Sequence, residues 1–135
     1  FELVEESDLS NEEIVEYRFK MGYSHFLKKD FEEAKALFKD LISIKDEYYY
    51  PSNYYYGLIH YYTGDFETAL KHFKIAKESN LYSAIIPYYL AQTYFQLGDY
   101  EQTIEFGLEM IQDEKFKYRK ELNQIIDGLF EIIGT

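Results

Sequence analysis

Hydrophobic residues recur three and four positions apart along most of the chain, which is the spacing of amphipathic helices. In the first such segment, Phe19, Tyr23 and Phe26 form one apolar stripe. Ser10 and Glu13 precede that segment with the spacing of a helix capping box. The pattern predicts an all-α protein with helices near residues 11–28, 31–44, 51–63, 66–79, 84–97, 100–112 and 115–133.

The chain also repeats itself. The segments Asp30-Phe31-Glu32, Asp65-Phe66-Glu67 and Asp99-Tyr100-Glu101 start 35 and 34 residues apart. The register continues upstream at one small position, which holds Gly22, Gly57 and Ala91. A fixed period of this length indicates a repeat architecture in which each copy is one supersecondary unit.

Each copy is predicted to contain two helices joined by a tight turn. Gly64 and Gly98 stand where the first helix must end in a left-handed residue, and Lys29 takes that position in the first copy. We expect the lysine to cost about 1 kcal/mol there. The repeated aspartate then caps the second helix, and Glu33 and Gln102 are placed to complete capping boxes.

The unit resembles the tetratricopeptide repeat, whose signature joins a Leu-Gly pair to a following Tyr, Ala and Phe. The pair corresponds to Met21-Gly22, Tyr56-Gly57 and Leu90-Ala91. The tyrosine position holds His25, His60 and Tyr94, and the small position holds Ala34, Ala69 and Thr103. The early Trp position departs from the pattern with Arg18, Asn53 and Pro87, and the late proline is absent. The resemblance implies an α-solenoid of three helix-turn-helix repeats within residues 11–113, at about 15–48, 50–83 and 84–114.

The two ends lie outside these repeats. Residues 1–10 form an acidic extension, of which we expect the first nine residues to be mobile. Residues 115–135 are either a C-terminal capping helix or the start of a truncated fourth repeat, with Gly128 at the glycine position. Because the chain begins at Phe1 rather than methionine, we expect a processed protein or a piece of a longer one.

In tetratricopeptide arrays the first helix of each repeat lines a concave groove, so the resemblance implies a binding wall. Transferred residue by residue, that wall consists of Phe19, Tyr23, Phe26, Tyr54, Leu58, Tyr61, Tyr62, Tyr88, Gln92, Phe95 and Gln96. Tyrosine offers a large rigid face with a polar tip, which suits protein recognition. The alternative is that the rings pack between helices. We favour packing for Tyr56 and Tyr94, and the groove for Tyr54, Tyr61 and Tyr88.

The net charge of the chain indicates which chemical class of partner it can bind. Lys and Arg number 14 against 25 Asp and Glu, for a net charge of −11. An acidic protein repels a phosphate backbone, so we predict no nucleic-acid binding. Arrays that clamp a chaperone's C-terminal carboxylate use Lys and Asn on the groove wall, which is aromatic here. A partner that carries basic and apolar residues is therefore predicted.

The sequence contains few residues that could carry out catalysis or bind a metal. The chain has no cysteine, and three histidines are its strongest metal ligands. His25 and His60 take the packing position of the repeat, and we expect His72 on the surface, so no metal site is predicted. The paired acids lie at helix starts, where they complement the helix dipole. We therefore predict neither an enzyme nor a cofactor, and no apolar run is long enough for a membrane span.

These observations predict a non-catalytic scaffold that holds a peptide or protein partner in an aromatic groove. The alternative is a structural self-association module, in which the terminal helices form a homo-oligomer. A glycan that stacks on the rings is a third choice. The stretches 54–57 and 87–94 are similar to tyrosine-rich repeats of larger bacterial envelope-associated proteins, which implies the periplasmic side. The chain itself does not determine the compartment.

Overall fold

A computed structural model describes residues 5–134, which are mainly α-helical. Within that range the helices are α1 (Asn11–Leu27), α2 (Phe31–Lys39), α3 (Tyr49–Tyr62), α4 (Phe66–Lys77), α5 (Ile86–Leu97), α6 (Tyr100–Ile111) and α7 (Arg119–Ile133). Short 3-10 turns occupy Glu6–Asp8 and Asn80–Tyr82. The predicted helices are confirmed, although α2 ends five residues before the predicted position 44 and α7 begins four after 115.

The helices pack in the order of the chain. α1 contacts α2, α3 contacts α4 and α5 contacts α6, and each second helix also contacts the helix that comes after it. The all-α solenoid of three helix pairs and a C-terminal helix is therefore confirmed. Within residues 5–134, no helix combines the length and apolar content that a membrane crossing needs.

The centre of the first two helix pairs is a glycine in contact with a phenylalanine ring. A Cβ atom on Gly22 would lie 3.0 Å from Cζ of Phe38, and one on Gly57 would lie 2.8 Å from Cδ1 of Phe73. Both rings are 0% exposed. A real side chain at either glycine would displace a fully buried ring, so the repeat register holds glycine there for close packing.

In the third helix pair, α7 supplies the side chain that packs against a glycine. Here Ala91 replaces the glycine, and Gly107 on α6 replaces the phenylalanine. A Cβ on Gly107 would lie 2.8 Å from Cδ1 of Ile126 on α7. α7 therefore packs closely on α6 through Leu122, Ile126 and Leu129, which are all buried. Gly128 has open space around it and plays no part in this contact.

The turns between paired helices agree with the sequence in two of the three repeats. Asp65 accepts a hydrogen bond from the backbone N–H of Thr68, and Asp99 accepts one from Gln102. Asp30 makes no capping bond; its Oδ2 lies 3.3 Å from Nδ1 of His25 instead. The predicted capping box with Glu33 is therefore wrong.

The N-terminal extension is tied to the first repeat through Arg18, at the position where the family carries tryptophan. Its Nε and Nη2 donate to the two carboxylate oxygens of Glu6 at 2.6 and 3.0 Å, and Nη1 lies 3.5 Å from Oδ2 of Asp40. A bidentate pair of this kind restricts both partners. Residues 5–9 thus differ from the mobile segment we expect, and residues 1–4 lie outside the described part of the chain.

Gly57→Ala tests the close packing of a repeat against the matched control Gly128→Ala. Gly57→Ala should lower the free energy of unfolding by about 1–3 kcal/mol, because Phe73 has to shift. Gly128→Ala should raise it by about 0.5–1 kcal/mol, because alanine favours the helix and the site is open. Urea unfolding followed by circular dichroism measures both values, and equal effects would contradict the packing role of Gly57.

Candidate functional site

A continuous row of rings runs across the first helices of the three pairs. Tyr55 of α3 contacts three rings of α1, with centroid distances of 6.2 Å to Phe19 and 5.2 Å to both Tyr23 and Phe26. Tyr89 of α5 makes the equivalent contacts to α3. We call the row the aromatic wall; its members are Phe19, Tyr23, Phe26, Tyr54, Tyr55, Tyr61, Tyr62, Tyr88 and Tyr89.

The contacts of Tyr89 continue the wall towards the C-terminus. Its ring centroid lies 6.3 Å from Tyr54 and 5.6 Å from Tyr61, and its hydroxyl oxygen lies 3.5 Å from that of Tyr62. Each of these tyrosines belongs to the preceding repeat. Aromatic pairs at such distances contribute beyond the area they bury, so the wall holds neighbouring repeats together.

Two tyrosine pairs explain how one helix contacts both neighbours. In the pair Tyr54-Tyr55, and again in Tyr88-Tyr89, the second ring contacts the preceding repeat. The first ring of each pair contacts a tyrosine in a later connection between helices. The sequence prediction included Tyr54 and Tyr88 but missed Tyr55 and Tyr89. The signal for them is the pair itself, because adjacent residues on a helix point in different directions.

Two predicted groove residues lie in the core instead. Tyr54 is 8% exposed and Leu58 is 4% exposed. The ring of Tyr54 stacks on Tyr82, with centroids 4.0 Å apart and planes 9° apart. Tyr82 lies in the connection before α5, where the periodicity predicts no helix, so its contact could not be anticipated from the repeat register. Tyr56 and Tyr94 are each 9% exposed, which confirms their predicted packing role.

The other predicted groove residues keep part of their surface accessible. Tyr23 is 39% exposed and Tyr62 is 51% exposed. The half-buried members are Phe19, Phe26, Tyr61, Tyr88, Gln92 and Phe95, and Gln96 is exposed. The structure thus leaves an accessible surface along the wall, although Tyr54 and Leu58 contribute little to it.

The wall carries no formal charge on α3 or α5. Neither helix contains Asp, Glu, Lys or Arg. Burial raises the pKa of Tyr61 to about 12 and also raises the pKa of Tyr88 and Tyr89, so these hydroxyls stay neutral. At neutral pH the wall therefore offers rings and hydroxyl groups, and Gln92, one turn after Tyr88 on α5, adds a side-chain amide.

A buried polar network lies within the second repeat. Asn53 donates from Nδ2 to the carbonyl oxygens of Ile42 and Tyr49, at 3.1 and 2.8 Å. Its Oδ1 is left to accept from Nδ1 of His72 at 2.7 Å. His72 is 5% exposed, so the prediction of a surface histidine is wrong. The neighbouring lysines suggested a solvated face, but Asn53 at the family's tryptophan position supplies the buried partner.

The other two histidines repeat one arrangement. Nδ1 of His60 lies 3.4 Å from Oδ2 of Asp65, as His25 lies 3.3 Å from Asp30. Tyr56 packs between His60 and His72, with centroid distances of 4.6 and 4.7 Å. Across residues 5–134, no three His, Cys, Asp or Glu side chains meet in a group that could hold a metal ion. The histidines link turns and fill the core.

Comparison with known proteins finds a family match within the first repeat. A tetratricopeptide repeat model matches residues 16–44, which span the first repeat. The first repeat therefore matches the tetratricopeptide repeat family. No curated protein matches its sequence.

Two solved structures have a similar fold. PcrH from Pseudomonas aeruginosa is 17% identical, with a TM-score of 0.66 over 94% of this chain and 96% of PcrH. PcrH in complex with the chaperone binding region of PopB is also 17% identical, with a TM-score of 0.66 over 90% of this chain and 97% of that one. At this identity the likeness shows a shared fold.

Tyr54→Ala and Tyr62→Ala compare a core ring with an accessible ring on the same helix, α3. Tyr54→Ala should lower the free energy of unfolding by about 3 kcal/mol or more, because it empties a site packed against Tyr82. Tyr62→Ala, at a ring 51% exposed, should cost less than about 1 kcal/mol. Chemical unfolding measures both, and a cost for Tyr62→Ala as large as that for Tyr54→Ala would contradict this division.

The stability of the array should fall as the pH is lowered below neutrality. Burial lowers the pKa of His72 to about 4 from its ordinary value of 6.5. Between these pH values His72 binds a proton in the unfolded chain but stays neutral in the folded protein, so acid favours unfolding. The pKa shift predicts that the free energy of unfolding falls by about 2 kcal/mol from pH 7 to pH 5. His60, whose pKa burial also lowers, adds to the loss with the same sign.

The control for this pH dependence is His72→Gln, which removes the titrating group. Unfolding free energies of both proteins should be measured at several values between pH 7 and pH 5. The variant should show a shallower pH dependence than the parent protein. Identical slopes would show that His72 is not a neutral buried group in the folded state.

Proposed function

We propose that this protein is a non-catalytic interaction scaffold whose aromatic wall binds a segment of a protein partner. The observation that carries the proposal is the wall itself: rings from three successive repeats contact one another, yet several remain open. Tyr23 and Tyr62 are 39% and 51% exposed although each contacts other rings of the wall. Accessible tyrosines on a rigid support lose little entropy on binding.

The likeness to PcrH supports a peptide or protein as the bound partner. PcrH has been solved in complex with the chaperone binding region of PopB, which is a segment of another protein. A shared fold does not by itself transfer a function. The support lies in the combination of that fold with an accessible uncharged wall, which suits an apolar segment better than a small charged ligand.

The partner segment should be apolar where it meets the wall and basic beyond it. The wall helices α3 and α5 contribute no carboxylate or ammonium group, whereas the chain as a whole carries a net charge of −11. Part of that charge lies on α6, which carries Glu101, Glu105 and Glu109 and no base. Such a field speeds the approach of a basic partner without contributing to contacts in the wall.

Self-association is the second candidate, and the C-terminal helix supplies the observation that favours it. Phe130 and Ile133 of α7 are 51% and 45% exposed. In a solenoid the next repeat covers the open face of the last helix. A second copy of the chain could cover α7 in the same way. The periplasmic location inferred from the tyrosine-rich stretches stays a prediction for either candidate.

Site-specific crosslinking tests the two candidates together. A photoreactive p-benzoylphenylalanine is placed at Tyr23, Tyr62, Phe130 or Tyr100 of the full chain in its source cells. We expect one foreign protein to be captured from positions 23 and 62 and not from Tyr100, which is 37% exposed on α6. A product of twice the chain's mass from position 130 would identify self-association instead.

The captured partner then allows a binding measurement. Tyr62→Ala should weaken its binding by about fivefold or more, as loss of a central interface tyrosine does. Tyr100→Ala is the matched control, since it removes an exposed tyrosine away from the wall, and should leave affinity unchanged. Equal losses in the two variants, or none, would place the binding surface elsewhere.

A further inference from the structure

A cavity lies at the turn between α1 and α2, next to one end of the aromatic wall. Its volume is about 500 Å³, and its lining consists of Phe26, Leu27, Lys29, Phe31 and Tyr62. Phe31 stacks on Tyr62 with centroids 6.0 Å apart, and Phe26 lies 5.9 Å from Phe31. Leu27 is 61% exposed, so a large apolar side chain borders open space. The volume falls in the roughly 300–1,000 Å³ range of ligand pockets.

The only charged residue of that lining has an unusual backbone. Lys29 has a φ of 64°, the left-handed conformation that glycine adopts at the same position of the next two repeats, at Gly64 and Gly98. A lysine there costs free energy that glycine would not. Strain of this kind is concentrated at sites where the side chain has a use.

The ammonium group of Lys29 has no ion-pair partner among residues 5–134. Of the acids just after it, Asp30 lies 3.3 Å from His25 and Glu32 lies 3.3 Å from Lys35, and Glu33 forms no ion pair with Lys29. Lys28 precedes it but does not line the cavity. In a protein with a net charge of −11, the ammonium group of Lys29 is a place where a carboxylate is attracted.

We propose that this cavity anchors the partner segment by a combined apolar and acidic contact. One bulky apolar side chain of the partner fills the space between Phe26, Phe31 and Tyr62. A carboxylate of an acidic residue beside it in the partner pairs with Lys29. The proposal rests on the proposed function and adds what that function lacks, a local acidic contact in a partner that is otherwise basic.

The charged site occurs once in the three described repeats, so it also determines which end of the partner segment lies at the first repeat. The equivalent lining in the second repeat is Tyr61, Tyr62, Gly64, Phe66 and Gln96, with no cation. The apolar character is thus shared between repeats, but the positive charge is particular to the first. A partner with one acidic anchor would bind with that end at the α1–α2 turn.

Two small probes test the cavity directly in the full chain. N-acetyl-phenylalanine carries a ring beside a carboxylate, and its amide carries the same ring without the charge. Titration of the ¹⁵N-labelled protein should give saturable shifts at the amides of Phe26, Leu27, Phe31 and Tyr62. Fragments of this size bind with dissociation constants of about 1 mM. The acid should bind about threefold more tightly than the amide, as an exposed ion pair allows.

Lys29→Gly should remove the preference for the acid over the amide, because it removes the ammonium group from the cavity lining. Glycine adopts the left-handed backbone freely, so this variant should be at least as stable as the parent, and lost affinity cannot be attributed to unfolding. Lys28→Ala is the matched control, because it removes the same charge one residue earlier from outside the cavity lining. It should keep most of the preference.

Three results would overturn the proposal: no shifts at the cavity, equal affinity for acid and amide, or an equal loss in Lys28→Ala and Lys29→Gly. The probes require no partner, so their failure is distinguishable from failure of the proposed function. Partner crosslinks at positions 23 and 62 without probe binding would leave the scaffold standing and remove the anchor. Probe binding without any partner crosslink would support the cavity chemistry and count against the scaffold.

Discussion

The contact between a glycine and a phenylalanine ring at the centre of each of the first two repeats is the interaction on which the rest of the structure depends. Phe38 and Phe73 are 0% exposed and lie where a Cβ on the facing glycine would collide with them. The same rings also face the next repeat. Phe38 stacks on Tyr55 with centroids 5.8 Å apart, and Phe73 stacks on Tyr89 at 5.6 Å.

Because each phenylalanine contacts both the glycine of its own repeat and a tyrosine of the next, it connects the core to the surface. The glycine allows the phenylalanine ring to pack between the two helices of its repeat. That ring positions a tyrosine of the following repeat, and the tyrosine contacts the accessible rings of the repeat before it. A change at the glycine would therefore propagate to the aromatic wall, because interiors at crystal-like density transmit strain. The third repeat has Gly107 in place of the phenylalanine, and Ile126 of α7 packs against that glycine.

The architecture could be predicted from sequence because each repeat is determined by local contacts and a fixed period. Glycine and turn positions act within one repeat, so the register located them, and it located the aspartate cap in two of the three repeats. The burial of Tyr54 could not be predicted, since it depends on Tyr82, 28 residues later in a connection without periodicity. The burial of His72 depends on Asn53, which is 19 residues away and departs from the family pattern.

The candidate site was predictable only in part for a related reason. The repeat register gives the face of a helix that points towards the groove, but exposure on that face depends on how closely the next repeat approaches. Leu58 and Tyr62 lie four residues apart on one face of α3, yet they are 4% and 51% exposed. The cavity at the α1–α2 turn combines residues of three helices with a turn, and Lys29 stands out from the sequence only as an exception to the glycine rule.

The rings that stabilise the array are the rings proposed to bind, and this has a thermodynamic consequence. A partner that covers Tyr23 and Tyr62 would bury surface on both sides of the boundary between the first and second repeats, where Tyr55 and Phe26 already meet. Binding to the folded state alone adds to its stability by mass action. In a repeat array that gain is concentrated at one interface, because each repeat is coupled only to its neighbours. A wall built from inter-repeat contacts thus couples recognition to the alignment of the repeats themselves.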